Sequence, residues 1–127
     1  MSPRRARSLL LCLALLLPGR VPADAPQRVL SLDLCMDWAL AHYLPAARIA
    51  ALSPLHERYP LPGLVDRRPS HDGSLERIVQ LQPDLVLVGQ YNALLLRERL
   101  RSLGLRVEVL ALPTTLAELE AHERRLL

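Results

Sequence analysis

The chain has 127 residues, half of them hydrophobic, which supplies one aliphatic core and no more than one domain. Aromatics are 3%, with no Phe, and the formal charge of +3 is unevenly placed: Arg4, Arg5, Arg7 and Arg20 precede residue 24 and no acid does. Removing those four arginines moves the charge from +3 to −1, which, with so few stacking rings, argues against nucleic-acid binding.

The first segment has the three-part grammar of a secretory signal. A basic start is followed by an apolar run from Leu9 to Leu17, then by the breakers Pro18 and Gly19 and the small end Val21-Pro22-Ala23. The run is about half the length of a membrane-spanning helix. We therefore read 1–23 as a signal peptide cleaved after Ala23, with Ala25 as the alternative cut, and expect an exported protein. Cys12 leaves with the leader, so Cys35 stands alone and no intramolecular disulfide is possible.

In the exported part, Arg28 to Leu32 reads as a buried strand. Met36 to Leu44 carries apolar residues at helical spacing and stops at Pro45. Arg48 to Leu52 is a second strand, and 55–73, with Pro60, Pro62, Pro69, Gly63 and Gly73, reads as a long loop. Ser74 caps a helix over 75–81 that turns Ile78, Val79 and Leu81 inward, and Pro83-Asp84 breaks it. Leu85 to Val88, closed by Gly89, is apolar on both faces, as a strand in a helix-covered parallel sheet should be. Asn92 is the expected cap of a helix over 93–103 that stops at Gly104. A fourth strand follows over 107–110 and a last helix over 116–127.

This order predicts an α/β fold: a parallel, Rossmann-like sheet flanked by helices, with ligands beyond the carboxyl ends of the strands. Those ends are residues 33–35, 53–56, 89–91 and 112–114. Cys35 and Met36 could suggest soft-metal binding beside Asp33, but a buried Cys and a core Met explain them more simply. His42, His56, His71 and His122 are too scattered for a metal signature. No phosphate loop, nucleophile elbow or catalytic triad is present in the sequence, so no catalytic residue, cofactor or metal is assigned and the protein is not read as an enzyme.

The stretch Ser74 to Gly89, SLERIVQLQPDLVLVG, resembles the corresponding segment of the cobalamin-binding and iron-siderophore-binding periplasmic proteins of ABC importers. The opening strand at Arg28, the passage RERLRSLGLRVEVL from Arg97 to Leu110, and the helix start at Thr114-Thr115-Leu116 resemble that family in the same order. The resemblance covers residues 28 to about 120. It implies the helical-backbone (class III) architecture: two α/β lobes joined by a long helix, with a metal chelate (cobalamin, a ferric siderophore or haem) held between them. It further implies delivery to an ABC permease in the inner membrane. Residues 24–127 then correspond to the N-terminal lobe, with the second, C-terminal lobe absent as a missing partner. A lone lobe would bury at most half of a ligand.

The same resemblance makes Glu76 the permease-docking residue; a solvated Glu in a first helical turn is the plainer alternative. It makes His71, Tyr91, Gln90, Tyr59 and His56 the ligand-binding candidates. Against them stand a turn at His71-Asp72-Gly73 and a rim aromatic at Tyr91. Arg67 and Arg68 could meet an anionic siderophore or simply be solvated. The alternative function is a small exported α/β interaction module or enzyme, or a non-functional truncated lobe.

Overall fold

The computed structural model describes residues 25–60 and 68–126. The signal peptide, its cleavage site after Ala23, Cys12 and Arg67 lie outside the described residues.

Four strands form one sheet: β1 (Val29–Ser31), β2 (Ile49–Ala51), β3 (Leu85–Gly89) and β4 (Val107–Leu110). All pair in parallel, in the order β2-β1-β3-β4. The register places Leu30 beside Val86 and Val86 beside Val107. The chain runs outward from β1 to β2, returns across the sheet to β3, and ends at β4. Its direction therefore reverses between β1 and β3, the switch point at which such sheets open a crevice.

Helices cover both faces. On one face α1 (Leu34–Tyr43) drives Met36 and Leu40 onto Val29, Ile49, Leu85 and Leu87. On the other, Ile78 of α3 (Leu75–Gln80) and Leu100 of α4 (Leu94–Ser102) pack on Leu30, Val86 and Val88. Residues Leu85 to Val88 are thus buried alternately to opposite sides, which is why that strand has no polar face. The last helix among the described residues is α5 (Leu116–Leu126), after β4.

Local chemistry sets the element ends. Ser74 caps α3 by accepting from Arg77 N–H at 3.2 Å. Pro83-Asp84 does more than break that helix. The Asp84 carboxylate accepts from Gln27 N–H (2.7 Å) and Arg28 N–H (2.9 Å), while Arg28 donates back to the Leu81 and Gln82 carbonyls. This reciprocal clamp ties the entry of β1 to the exit of α3 and satisfies carbonyls that the helix leaves open. Gly104 takes a left-handed φ of +85° where α4 stops. Glu118 and Thr115 form a reciprocal cap: Glu118 N–H donates to Thr115 Oγ1 (3.2 Å), and Glu118 Oε2 accepts from Thr114 N–H (2.7 Å) and Thr115 N–H (3.2 Å). Those donors hold the Glu118 carboxyl below its ordinary range.

Several expectations are corrected. The loop 55–73 contains a short helix, α2 (Leu55–Arg58), and its later part returns to the sheet, where Leu52 bridges Ser70. Asn92 does not cap α4. Ala93 occupies that position in a left-handed conformation (φ 49°) without a side-chain bond, because residues 89–92 close a tight turn in which Asn92 N–H donates to the Gly89 carbonyl (3.0 Å). Val79 is 40% exposed: of this short helix only Ile78 is fully buried, while Leu75 and Leu81 pack beside it half-buried. Cys35 is exposed, since α1 begins at Leu34 and turns Met36 inward in its place.

Candidate functional site

The carboxyl ends of β1 and β3 are joined by one side chain. Asp33 caps α1, its Oδ1 accepting from Met36 N–H (3.0 Å), and its Oδ2 accepts from Gly89 N–H (2.6 Å) at the end of β3. A Cβ at Gly89 would lie 3.0 Å from Asn92 Nδ2 and 3.3 Å from Asp33 Oδ2, so glycine is what lets the strand end approach the carboxylate. Asp33 divides the edge of the sheet into two sides.

Beyond β1 and β2 the polar groups are buried and bonded to one another. Asp37 is fully buried on α1 and accepts from Ser53 N–H (2.7 Å) and Ser53 Oγ (2.6 Å). Burial pushes its carboxyl above the ordinary value of 3.8, against the lowering effect of the Ser53 and Ser31 hydrogen bonds. His71 closes the cluster. Its Nδ1 accepts from Gly73 N–H (3.0 Å), so the proton sits on Nε2, which donates to the Ser31 carbonyl (2.7 Å). The ring is 4% exposed.

Beyond β3 and β4 the edge is open. A groove of about 460 Å³ runs between α1, the β3–α4 turn and α5. Its apolar floor includes Met36, Ala39, Leu110, Leu112, Pro113 and Leu119. Its polar side chains are those of Gln90, Tyr91, Asn92, Trp38, Tyr43, Cys35 and His122, beside the already bonded Asp33. Trp38, the only tryptophan of the chain, stacks on His42 (centroids 4.1 Å apart) and meets Tyr43 edge-on at 5.9 Å.

The structure brings two of the five ligand-binding candidates together. Gln90 and the 74% exposed Tyr91 are neighbours on the groove. His71 is withdrawn from ligand contact, because the loop carrying it docks on β2 and both ring nitrogens are used inside the chain. His56 and Tyr59 belong to α2 and its end, on the polar side, and do not line the groove. The His56 Nδ1 is shielded and unbonded, and Tyr59 is exposed with Arg58 5.8 Å from its ring centre. Glu76 is exposed in the first turn of α3 and makes no ion pair among the described residues. Trp38, Leu119 and His122 escaped the sequence reading as groove residues, whereas Leu112 lies at a strand end to which the topology already pointed. Trp38 carried the one usable signal, a rare aromatic just after the first strand. Among the described residues no group of three or more His, Cys, Asp or Glu could hold a metal ion, and no helix is long and apolar enough to cross a membrane.

A parallel sheet of this order, with its groove at the switch-point edge, is the fold of the N-terminal lobe of the class III periplasmic binding proteins. Two solved structures carry the likeness. A periplasmic haem-binding protein of Pseudomonas aeruginosa matches at 21% identity with a TM-score of 0.61, and the periplasmic vitamin B12 binding protein of Vibrio cholerae at 25% identity with a TM-score of 0.59. Each match covers 80% of this chain, and the chain spans 37% and 40% of those two proteins. Both neighbours are binding proteins rather than enzymes. No family model matches the sequence, and no curated protein does.

Proposed function

We propose that this chain is the N-terminal lobe of the substrate-binding component of an ABC importer, exported through residues 1–23, and that it captures a metal chelate in the periplasm. Cobalamin, a ferric siderophore and haem are the candidate cargoes. The observation that carries the reading is the groove itself. It lies beyond the carboxyl ends of β3 and β4, next to the switch point, and is apolar with a few convergent polar groups. Tyr91 and Gln90 are the ligand contacts, and Tyr59 and His56 would meet only a ligand large enough to extend over the polar side. Glu76, exposed and unpaired among the described residues, is the contact offered to arginines of the permease. A partnering C-terminal lobe would close the cleft from the other side.

Trp38 makes the test direct, because it lines the groove and is the only tryptophan. Titrating the purified protein with each chelate should quench its fluorescence saturably. If none of the three binds, alone or with a second lobe supplied, the reading fails.

A further inference from the structure

The two edge strands of the sheet are treated differently. At β2 the returning loop covers the edge: Leu52 N–H donates to the Pro69 carbonyl (2.8 Å), His71 N–H donates to the Leu52 carbonyl (3.0 Å), and Ile49, Ala50 and Ala51 are buried. At β4 no such cover is found among the described residues. We infer that β4 is a self-association edge, on which a second copy of this chain lays its own β4 antiparallel, joining the two sheets into one across a two-fold axis.

The backbone of β4 sets up the geometry. Val86 N–H donates to the Arg106 carbonyl (2.9 Å) and Gln90 N–H to the Leu110 carbonyl (3.0 Å), in a parallel register that pairs Val86 with Val107 and Val88 with Val109. Arg106, Glu108 and Leu110 therefore turn their backbone groups toward β3, and the N–H and C=O of Val107 and Val109 point away from the sheet. Val107, Glu108 and Val109 are only half-buried, so the edge is not sealed. Among the described residues one bond reaches it, from Arg101 Nη2 to the Val107 carbonyl at 3.4 Å, and that side chain is 40% exposed and free to swing. A row of open donors and acceptors is a template for another strand, and Val107–Leu110 holds no Pro, Lys or bulge, the usual means of blunting an edge.

Charge says which strand fits. Arg106 and Glu108 stand two residues apart on one face of β4, paired with each other and 58% and 37% exposed. An antiparallel pairing centred on Val107 sets it against the partner's Val107, and sets Arg106 against the partner's Glu108, twice by symmetry. Both ion pairs then fall at the sites of the new seam that exchange no backbone bonds, where facing side chains come closest. Centring the pairing on Glu108 would instead oppose two carboxylates, and a parallel pairing in register would oppose like with like. The charges thus select one register and one symmetry. In that arrangement the carboxyl edges of the two sheets point in opposite directions. Both grooves stay open, and the inference stands apart from the reading of the groove.

The test is the association state of the purified protein. Sedimentation over a range of concentrations should show a monomer–dimer equilibrium. Amide exchange at Val107 and Val109 should slow with rising concentration, several-fold more than at Glu108, whose N–H already faces β3. Glu108→Arg and Arg106→Glu each make the facing pairs repulsive, and either alone should weaken self-association about tenfold or more. Mixed in equal amounts, the two variants should associate again as a heterodimer, to within about threefold of the native affinity, because each then meets opposite charge. A defect of folding could not be restored by mixing. A native chain that stays monomeric up to about 1 mM overturns the inference. So does a dimer that leaves exchange at Val107 and Val109 unchanged, one that neither charge change weakens, or a pair of variants that mixing does not rejoin.

Discussion

The two sides of the sheet's carboxyl edge use polar residues in opposite ways. Beyond β1 and β2, Ser31, Asp37, Ser53 and His71 are all buried and are bonded to one another or to nearby backbone. Beyond β3 and β4, the side chains of Gln90, Tyr91 and Asn92 face an open apolar groove. A buried polar cluster holds a fold in one arrangement only if every member is satisfied, whereas an unsatisfied exposed group is free to bind something else. One side is therefore scaffold and the other is site, and Asp33 joins them. Substitutions on the two sides should separate cleanly into losses of stability and losses of binding.

The largest effect should come from Asp37→Ala, which strands the Ser53 amide and hydroxyl in the core. We expect a loss of about 3 kcal/mol in urea unfolding. Asp37→Asn keeps an acceptor and should cost far less. The two can also be told apart by pH. Burial raises the Asp37 pKa in the folded protein above its ordinary value of 3.8, so the fold holds this proton more tightly than the unfolded chain does. The stability this contributes is full below 3.8 and is lost as pH rises through the raised folded value. Unfolding free energy followed from neutral to mildly acid pH should carry that component in the native chain and lack it in Asp37→Asn. An Asp37→Ala chain as stable as the native one would break the division into scaffold and site.

Next in size is His71→Ala, which removes both ring bonds of a buried side chain. About 2 kcal/mol should be lost, and amide exchange at Gly73 should quicken. If His71 instead served a ligand, affinity would fall while exchange at Gly73 stayed slow. Gly89→Ala probes the joint between the sides. The new methyl would crowd the Asn92 side chain, which can swing away, and the Asp33 carboxylate, which two backbone bonds hold in place. A cost of about 1 kcal/mol with a measurable loss of binding is expected, because the shift reaches both β1 and the β3–α4 turn.

How much of this could be read from the sequence follows from the range of the forces involved. The four strands were legible because each is a short apolar run bounded by polar or breaking residues, and Leu85 to Val88 declared its two-sided burial by having no polar position. The stop at Gly104 was equally local. Asp37 was not legible, because its partner Ser53 lies 16 residues away and nothing local marks a buried carboxylate. His71 was read as ligand-facing because resemblance fixes a position along the chain but not the direction of a ring. That direction is set by Ser31, 40 residues earlier. The cap of α4 failed for a related reason: the turn at 89–92 is closed by backbone bonds and needs no Asn side chain. The groove was half legible. Tyr91 and Gln90 sit at a strand end that topology alone points to, while Leu119 and His122 join them only once α5 folds back beside α1.

On the open side the effects on stability should be small and those on binding large. Tyr91→Ala, at a residue 74% exposed, should change stability by less than about 0.5 kcal/mol. It should weaken chelate binding by about 1 kcal/mol, the usual value of a well-placed ring contact, measured by the Trp38 titration. Unchanged affinity would move the ligand away from this turn.

The smallest effect on the isolated protein should come from Glu76→Ala. The residue stands in the first turn of α3, where a carboxylate gains only a few tenths of a kcal/mol, on the order of 0.3, from the helix dipole. It lies outside the groove, so chelate affinity should not move. Uptake by cells, or capture by a reconstituted permease, should nevertheless fall, and Glu76→Arg should lower it further by setting like charges against each other. Adding salt should weaken docking of the native protein and leave Glu76→Ala nearly indifferent. If both variants support uptake at the native rate, Glu76 is only a solvated helix residue. The contrast between scaffold and site would survive that result, but the docking surface would have to be sought elsewhere on the exposed face of the lobe.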